Sequence, residues 1–253
     1  KEESILAAAG QTLSVFDNIY GVYTNSEMKM PLVSDDEGKK IKLSYGRYNV
    51  LRESKNKAVR KEAFLAMHNT YAENKNTLAT ILGGQIKADN FNAQVRGFES
   101  ARHSALFANN VEESVYDELV DTVNDNLDAL HKYVEVRKNI LGNETINMYD
   151  LYTPLVSDID LKFTKEDAKE IIIEALQPLG KEYVDTVKRA FDERWLDLTE
   201  NEHKRSGAYS SGTYGTNPYI LMNWQDSLDN VYTLAHELGH SIHSYYTRKY
   251  QPQ

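Results

Sequence analysis

Three of the seven histidines in this chain lie within eight residues, in the stretch "TLAHELGHSIHSYY". His236, Glu237 and His240 fit the pattern H-E-x-x-H. On a helix, residues four apart lie one above the other, about 6 Å apart along the axis, so both imidazoles can converge on one zinc ion. The glutamate beside the first histidine can then act as general base toward a metal-activated water. The spacing therefore predicts two metal ligands and the catalytic base of a zinc hydrolase.

A third histidine, His243, follows on the same segment. It lies seven residues beyond His236, about 10 Å along a helix axis, which is too far for both to bind one metal ion at about 2 Å. We predict that His243 supports the ligands by hydrogen bonding or packs against a neighbouring helix. The extended metzincin pattern would need a histidine at position 246, where this chain has Tyr246.

The element that must position these residues is a helix over about residues 227–246. Its histidines fall on one side, and an apolar stripe falls on the other. We therefore expect both faces of this helix to be buried. The stripe consists of Leu228, Val231, Ala235, Leu238, Ile242 and Tyr245.

The motif alone leaves other functions open, since a random H-E-x-x-H arises in roughly one or two chains per hundred of this composition. One alternative is a non-catalytic helical scaffold or peptide-binding segment with an incomplete metal site. Another is a thermolysin-like or aminopeptidase-like enzyme, although the helical content before the motif disfavours the β-rich thermolysin arrangement.

Composition narrows the class of protein further. The chain has 253 residues, a net charge of −9 and no cluster of Lys and Arg of the kind that binds nucleic acid. No apolar run approaches the roughly 18 residues of a membrane span. The absence of cysteine excludes thiol nucleophiles and cysteine-ligated zinc, and it is compatible with a reducing cytoplasm. We expect a cytoplasmic protein with no nucleic-acid or membrane partner, whose first residue, Lys1, indicates an internal piece of a longer chain.

Hydrophobic periodicity predicts a mainly α fold with two small β elements. A helix is expected over residues 4–18, and a β-hairpin near 31–44, where two short runs flank the turn sequence "SDDEG". From about 45 to 195 the pattern is helical, with one long helix over 56–90 that the pair Gly83-Gly84 could break.

Capping patterns mark further helices in the same region. Asn110 with Glu113 predicts the start of a helix over 111–141, and Thr164 with Asp167 predicts another that ends near Gly180. A helix over about 181–194 follows. Glycines and β-forming residues then predict a strand–loop–strand element near 205–222, with Tyr219, Ile220 and Leu221 in one strand.

Several stretches resemble the oligoendopeptidase F branch of the thimet oligopeptidase-like family of zinc metallopeptidases. They are "TLAHELGHSIHSYY", "RSGAYSSGTYGTNPYILMNWQDSLDN", "NMYDLYTPL" and the hairpin "MPLVSDDEGKKIKLSYGRY". The resemblance covers essentially the whole chain. It implies a multi-helical, hollow zincin-type fold with a deep channel that admits short unstructured peptides as substrates.

Residue by residue, the resemblance implies one Zn²⁺ ion held by His236 and His240, with Glu237 as general base. The family's third ligand is a glutamate on a following helix, and no acidic residue follows Glu237 here, so that ligand is expected beyond residue 253. The segment containing Gly207, Ala208 and Tyr209 would line the channel and pair with substrate backbone.

The resemblance also suggests how the chain is organised. We expect residues 1–55 to be the end of an N-terminal region, and residues 56–253 to be the first part of the helical catalytic domain. The chain would then be a central segment of a zinc endopeptidase that is inactive and binds zinc weakly when made alone, because catalytic zinc sites use three protein ligands.

Overall fold

The structure is a computed structural model that describes residues 2–156 and 162–251. Within these residues the fold is mainly α, as predicted. The α-helices are α1 (Glu2–Leu13), α2 (Val15–Val22), α3 (Tyr45–Leu51), α4 (Lys57–Glu73), α5 (Lys75–Val95), α6 (Ala101–Phe107), α7 (Glu113–Asp125), α8 (Leu127–Ile140), α9 (Lys165–Ala175), α10 (Lys181–Asp192) and α11 (Leu228–Tyr250). The strands are β1 (Leu32–Ser34), β2 (Lys40–Lys42), β3 (Leu196–Asp197), β4 (Tyr209–Ser211) and β5 (Tyr219–Leu221). None of the helices in the described ranges combines the length and the apolar character needed to cross a membrane.

The chain divides into two compact units, one formed by residues 1–31 and 64–155 and the other by residues 32–63 and 156–253. The first unit is helical and the second contains all five strands described here. The predicted functional division into 1–55 and 56–253 concerns the whole protein and stays a prediction.

Two of the predicted long helices are interrupted at asparagines rather than at glycines. The predicted helix over 56–90 breaks at Asn74 and continues through Gly83-Gly84, and the predicted helix over 111–141 breaks at Asn126. Each asparagine side chain donates a hydrogen bond to the carbonyl four residues earlier, at 2.7 Å in both cases. Such local bonds accompany both breaks, although Asn124 makes the same kind of bond within the unbroken α7.

The glycine pair has a packing role instead. A Cβ at Gly84 would lie 2.2 Å from Cε1 of Phe16, so the ring of Phe16 rests where a side chain would otherwise stand. The predicted helix over 4–18 is also two helices, because it is interrupted at Ser14 and the second part runs on to Val22.

One of the two predicted capping pairs is wrong and the other is confirmed. Asn110 has φ 53, a left-handed conformation that cannot open a helix, and Glu112 is the residue before α7. Thr164 and Asp167 form the predicted reciprocal capping box at the start of α9. The Thr164 hydroxyl and backbone N–H both bond the Asp167 carboxylate and hold its pKa below the usual range.

The second unit contains the predicted hairpin and a three-stranded sheet. Strands β1 and β2 pair antiparallel with Val33 opposite Ile41. The sheet has the order β3–β5–β4, with β4 antiparallel and β3 parallel to the central strand β5. Strands β4 and β5 confirm the predicted strand–loop–strand element, whereas the two-residue strand β3 has too short a pattern to be predicted.

A hydrophobic core joins this sheet to α9, α10 and α11. Leu234 and Leu238 of α11 have no exposed surface, and both tryptophans of the chain, Trp195 and Trp224, belong to the same core. The predicted stripe is therefore mostly buried, except that Leu228 is 44% exposed and Leu234 takes its place. Hydrophobic burial on one side of α11 sets the rotation of this helix.

We predict that Leu234→Ala destabilises the second unit by about 2–5 kcal/mol, because it removes a fully buried side chain and leaves a cavity. Leu228→Ala, on the same helix but half-exposed, is the matched control and should cost about 0.5 kcal/mol. Since both tryptophans lie in this core, the tryptophan fluorescence of the purified chain in urea follows the unfolding of the second unit. Equal losses for the two variants would contradict the assigned core.

Candidate metal centre

The helix that carries the motif is well capped at both ends. The Ser227 hydroxyl accepts a hydrogen bond from the backbone N–H of Asn230 at the start of α11, and Asp229 lies in the first turn. Arg248 and Lys249 lie in the last turn, where positive charge favours the helix dipole. These features make α11 one continuous helix of 23 residues, slightly longer than the predicted 227–246.

His236 and His240 point to the same place. Their Nε2 atoms are 3.0 Å apart, and their ring planes meet at 84°. Two nitrogens bound to one zinc ion at the tetrahedral angle would lie about 3.4 Å apart, so a shift of a few tenths of an ångström makes this pair fit a zinc ion. The predicted convergence of the two rings on a continuous helix is confirmed, whereas their role as ligands stays a prediction.

The histidine face of α11 is exposed, contrary to the prediction that both faces are buried. His236, His240 and His243 are all exposed, and the residues of α11 that are buried lie on the other side of the helix. The sheet, α9 and α10 pack against that other side. His243 therefore shares the open face of the two predicted ligands, and its predicted supporting role stays a prediction.

Glu237 lies between the two faces. Its side chain is 7% exposed, and within the described part of the chain it makes no side-chain hydrogen bond or ion pair. Ser241, one helical turn later on the same side, meets Ser210 of β4 with 2.7 Å between the hydroxyl oxygens. Glu237 is thus on the side of α11 that is turned toward β4.

Strand β4 presents one open edge in the described sheet. The backbone N–H groups of Ile220 and Met222 donate hydrogen bonds to carbonyls at β3. The backbone N–H and C=O groups of the alternate residues, Tyr219 and Leu221, therefore face β4. Their partners are Ser211 and Tyr209. Because N–H and C=O directions alternate along a strand, the N–H and C=O of Ser210 point away from β5, to the open edge.

The predicted substrate residues lie at the start of this edge. Strand β4 begins at Tyr209; before it, Gly207 has φ 86, and its carbonyl accepts a hydrogen bond from the Asn223 side chain. Ala208 is partly buried against the core, and Tyr209 is 38% exposed. Ser210, which the sequence did not single out, has the outward-facing backbone, and only the pairing register reveals it.

A different set of metal-ligand types lies in the first unit. In the described ranges, ligand atoms of Glu99, His103 and Glu113 come within 4.8 Å of one another. Arg102 donates a hydrogen bond of 2.6 Å to the Glu113 carboxylate and lowers its pKa. Since an arginine already occupies this carboxylate, the group is a poorer metal site than the histidine pair of α11.

The comparisons with known proteins agree with the resemblance. Residues 50–253 match the model of peptidase family M3. The chain is similar to oligopeptidase PepF of Bacillus subtilis (strain 168), with 48% identity over 252 residues that cover 100% of this chain and 38% of that protein. The chain thus spans less than half the length of this relative.

Solved structures give the same result for the fold. The crystal structure of oligoendopeptidase-F from Enterococcus faecium matches with a TM-score of 0.64 and 36% identity, over 97% of this chain and 38% of that one. A structure of PZ peptidase A with an inhibitor matches with a TM-score of 0.81 over 95% of this chain and 42% of that one; at 19% identity it supports the fold alone. From the match over residues 50–253 and these similarities, the chain belongs to peptidase family M3.

Proposed function

We propose that this chain supplies the H-E-x-x-H helix and the substrate-facing strand of a zinc-dependent endopeptidase of the oligoendopeptidase F type. The observation that carries the proposal is the pair of Nε2 atoms 3.0 Å apart on α11, with Glu237, a buried residue, between the two histidines in sequence. Membership of peptidase family M3 supports the same reaction class.

His236 and His240 would hold the zinc ion through their Nε2 atoms. When bound, zinc supplies Lewis acidity that brings the pKa of water near neutrality and polarises a peptide carbonyl. Glu237 takes the proton from the attacking water and delivers it to the leaving amine. A third ligand, expected to be a glutamate outside residues 1–253, belongs to the proposal for the whole protein, as does its expected cytoplasmic location.

Short, unstructured peptides are the substrates that the strand geometry supports. A peptide backbone that adds to the open edge of β4 would pair with the N–H and C=O of Ser210. Ser210 also contacts Ser241, one residue after His240, so a paired peptide would run beside the motif helix. Gly207, Ala208 and Tyr209 remain the proposed entrance to this edge.

We predict that Glu237→Gln lowers kcat/KM for a quenched fluorescent peptide by about 10²–10⁴-fold, because the amide cannot accept the proton. Zinc content should stay unchanged, since the histidines are intact. The assay uses the whole protein that carries this chain, or a hybrid in which these residues replace the matching segment of the Bacillus subtilis relative. Glu170→Gln on the exposed face of α9 is the matched control. Full chelator-sensitive activity in Glu237→Gln would overturn the assigned base, and no chelator-sensitive activity in the wild type would favour a non-catalytic segment.

We predict that His236→Ala and His240→Ala each weaken zinc binding by at least about 100-fold, because each removes one of the three protein ligands that a catalytic zinc site needs. Competition with a chromophoric chelator measures the affinity. His131→Ala, an exposed histidine of α8, is the control and should leave the affinity unchanged. Equal zinc affinity in all three variants would place the metal elsewhere, with Glu99, His103 and Glu113 as the next set to substitute.

We predict that Ser210→Pro raises KM for peptides of several residues by about 3–10-fold, because it removes one outward N–H and so one backbone hydrogen bond. Proline is tolerated there, since an edge strand does not need that N–H for its own sheet. Ser210→Ala keeps the N–H and removes the hydroxyl, which makes it the matched control. An equal rise of KM in both variants would assign the effect to the Ser210–Ser241 contact instead of the strand edge.

A further inference from the structure

The proposed substrate edge is held in place by contacts with the motif helix. Strand β4 has only three residues and pairs with a strand on one side, so its own sheet constrains it weakly. It touches α11 through Ser210 and Ser241. Beyond Ser211 the chain turns through residues 213–216 and returns as β5.

Arg248, two turns after His240, is the second point at which α11 holds this hairpin. Its Nη1 atom donates a hydrogen bond of 3.0 Å to the carbonyl of Thr216. The guanidinium also lies against Gly212, directly after β4, where a Cβ would stand 3.0 Å from Nη1 and 2.8 Å from the carbonyl oxygen of Asn217. Arginine and glycine together therefore let the hairpin backbone approach the helix closely.

The spacing along the helix connects this contact to the metal face. Arg248 lies eight residues after His240, about 12 Å along the axis of one uninterrupted helix. Ser241 lies between them. The distance between the histidine nitrogens and the open edge of β4 is thus set by two contacts of α11, one through Ser241 and one through Arg248.

We propose that Arg248 is a positioning residue for peptide hydrolysis: it fixes the β4–β5 hairpin against α11, so that a peptide paired with the β4 edge presents its scissile bond at the histidine pair. This inference rests on the proposed function. A displacement of about 1 Å in a reacting complex can cost about 100-fold in rate while substrate still binds. Loss of Arg248 should therefore reduce kcat far more than it changes KM.

The test is Arg248→Ala in the same whole protein or hybrid, with kcat, KM and zinc content measured together. We expect kcat to fall about 10–100-fold, KM to change less than threefold, and zinc content to stay the same. Arg248→Lys keeps one donor within reach of the Thr216 carbonyl and should restore part of kcat. Lys249→Ala is the matched control, since it removes the neighbouring positive charge, which pairs with Glu182 of α10 and not with the hairpin.

Hydrogen exchange provides a readout besides activity. Arg248→Ala should speed the exchange of amides in residues 208–216 and leave the amides around His236 and His240 unchanged. Gly212→Ala should also speed exchange in residues 208–216 and leave exchange around the histidines unchanged, because its Cβ forces the hairpin away from Arg248. Gly83→Ala, where a Cβ meets nothing within 4 Å, should change neither. In the double variant that combines Arg248→Ala with Gly212→Ala, kcat should be no lower than in the slower of the two single variants.

Each outcome separates this inference from the proposed function. A wild type without metal-dependent hydrolysis would overturn the proposed function and the inference with it. An active wild type with unchanged kcat in Arg248→Ala would overturn the inference alone. A rise of KM at constant kcat would also overturn it, because Arg248 would then bind substrate directly.

Discussion

The burial of one face of α11 is the constraint on which the rest of the site depends. Leu234, Leu238 and Ile242 are at most 1% exposed and pack with Trp195 and the sheet. Once these side chains are in the core, the helical period leaves no freedom for the residues between them. His236 and His240 must then lie on the opposite face, one turn apart, with their rings in reach of one another. The convergence of the two imidazoles is therefore a consequence of hydrophobic packing that does not involve the histidines.

The same rotation explains why Glu237 differs from its neighbours. It is about 100° around the helix from His236, at the border of the buried face, and it is buried whereas His236 and His240 are exposed. Its side of the helix continues to Ser241, which meets β4. The burial of Glu237 and the exposure of the two histidines are thus two results of one helical register.

Local chemistry predicted some elements well. The i, i+4 histidines, the Thr164–Asp167 box and the hairpin around Val33 and Ile41 depend on residues near in sequence, and the structure contains all three. The helical pattern did not predict the breaks at Asn74 and Asn126, because glycine has the worse intrinsic helix propensity and Gly83-Gly84 was the expected break. Gly84 stays helical since Phe16, distant in sequence, fills the space of its side chain. The outward direction of Ser210 depends on the register of three strands, which no local pattern contains.

An open strand edge is useful to a peptidase and hazardous to a folded protein, since any extended chain can add to it. Here the edge is short: β4 has three residues, and its single central residue, Ser210, has both backbone groups directed outward. Gly207 with φ 86 turns the chain before the strand, and the close packing of Gly212 against Arg248 ends it. Under the proposed function, such an edge would offer the two backbone groups of Ser210 to a peptide that is also held at the histidine face, but little to a long strand that is not. The packing of Gly212 against Arg248, which ends the edge, also fixes the hairpin against α11. Under the proposed function, substrate alignment and protection against unwanted pairing therefore follow from one arrangement of α11 and β4.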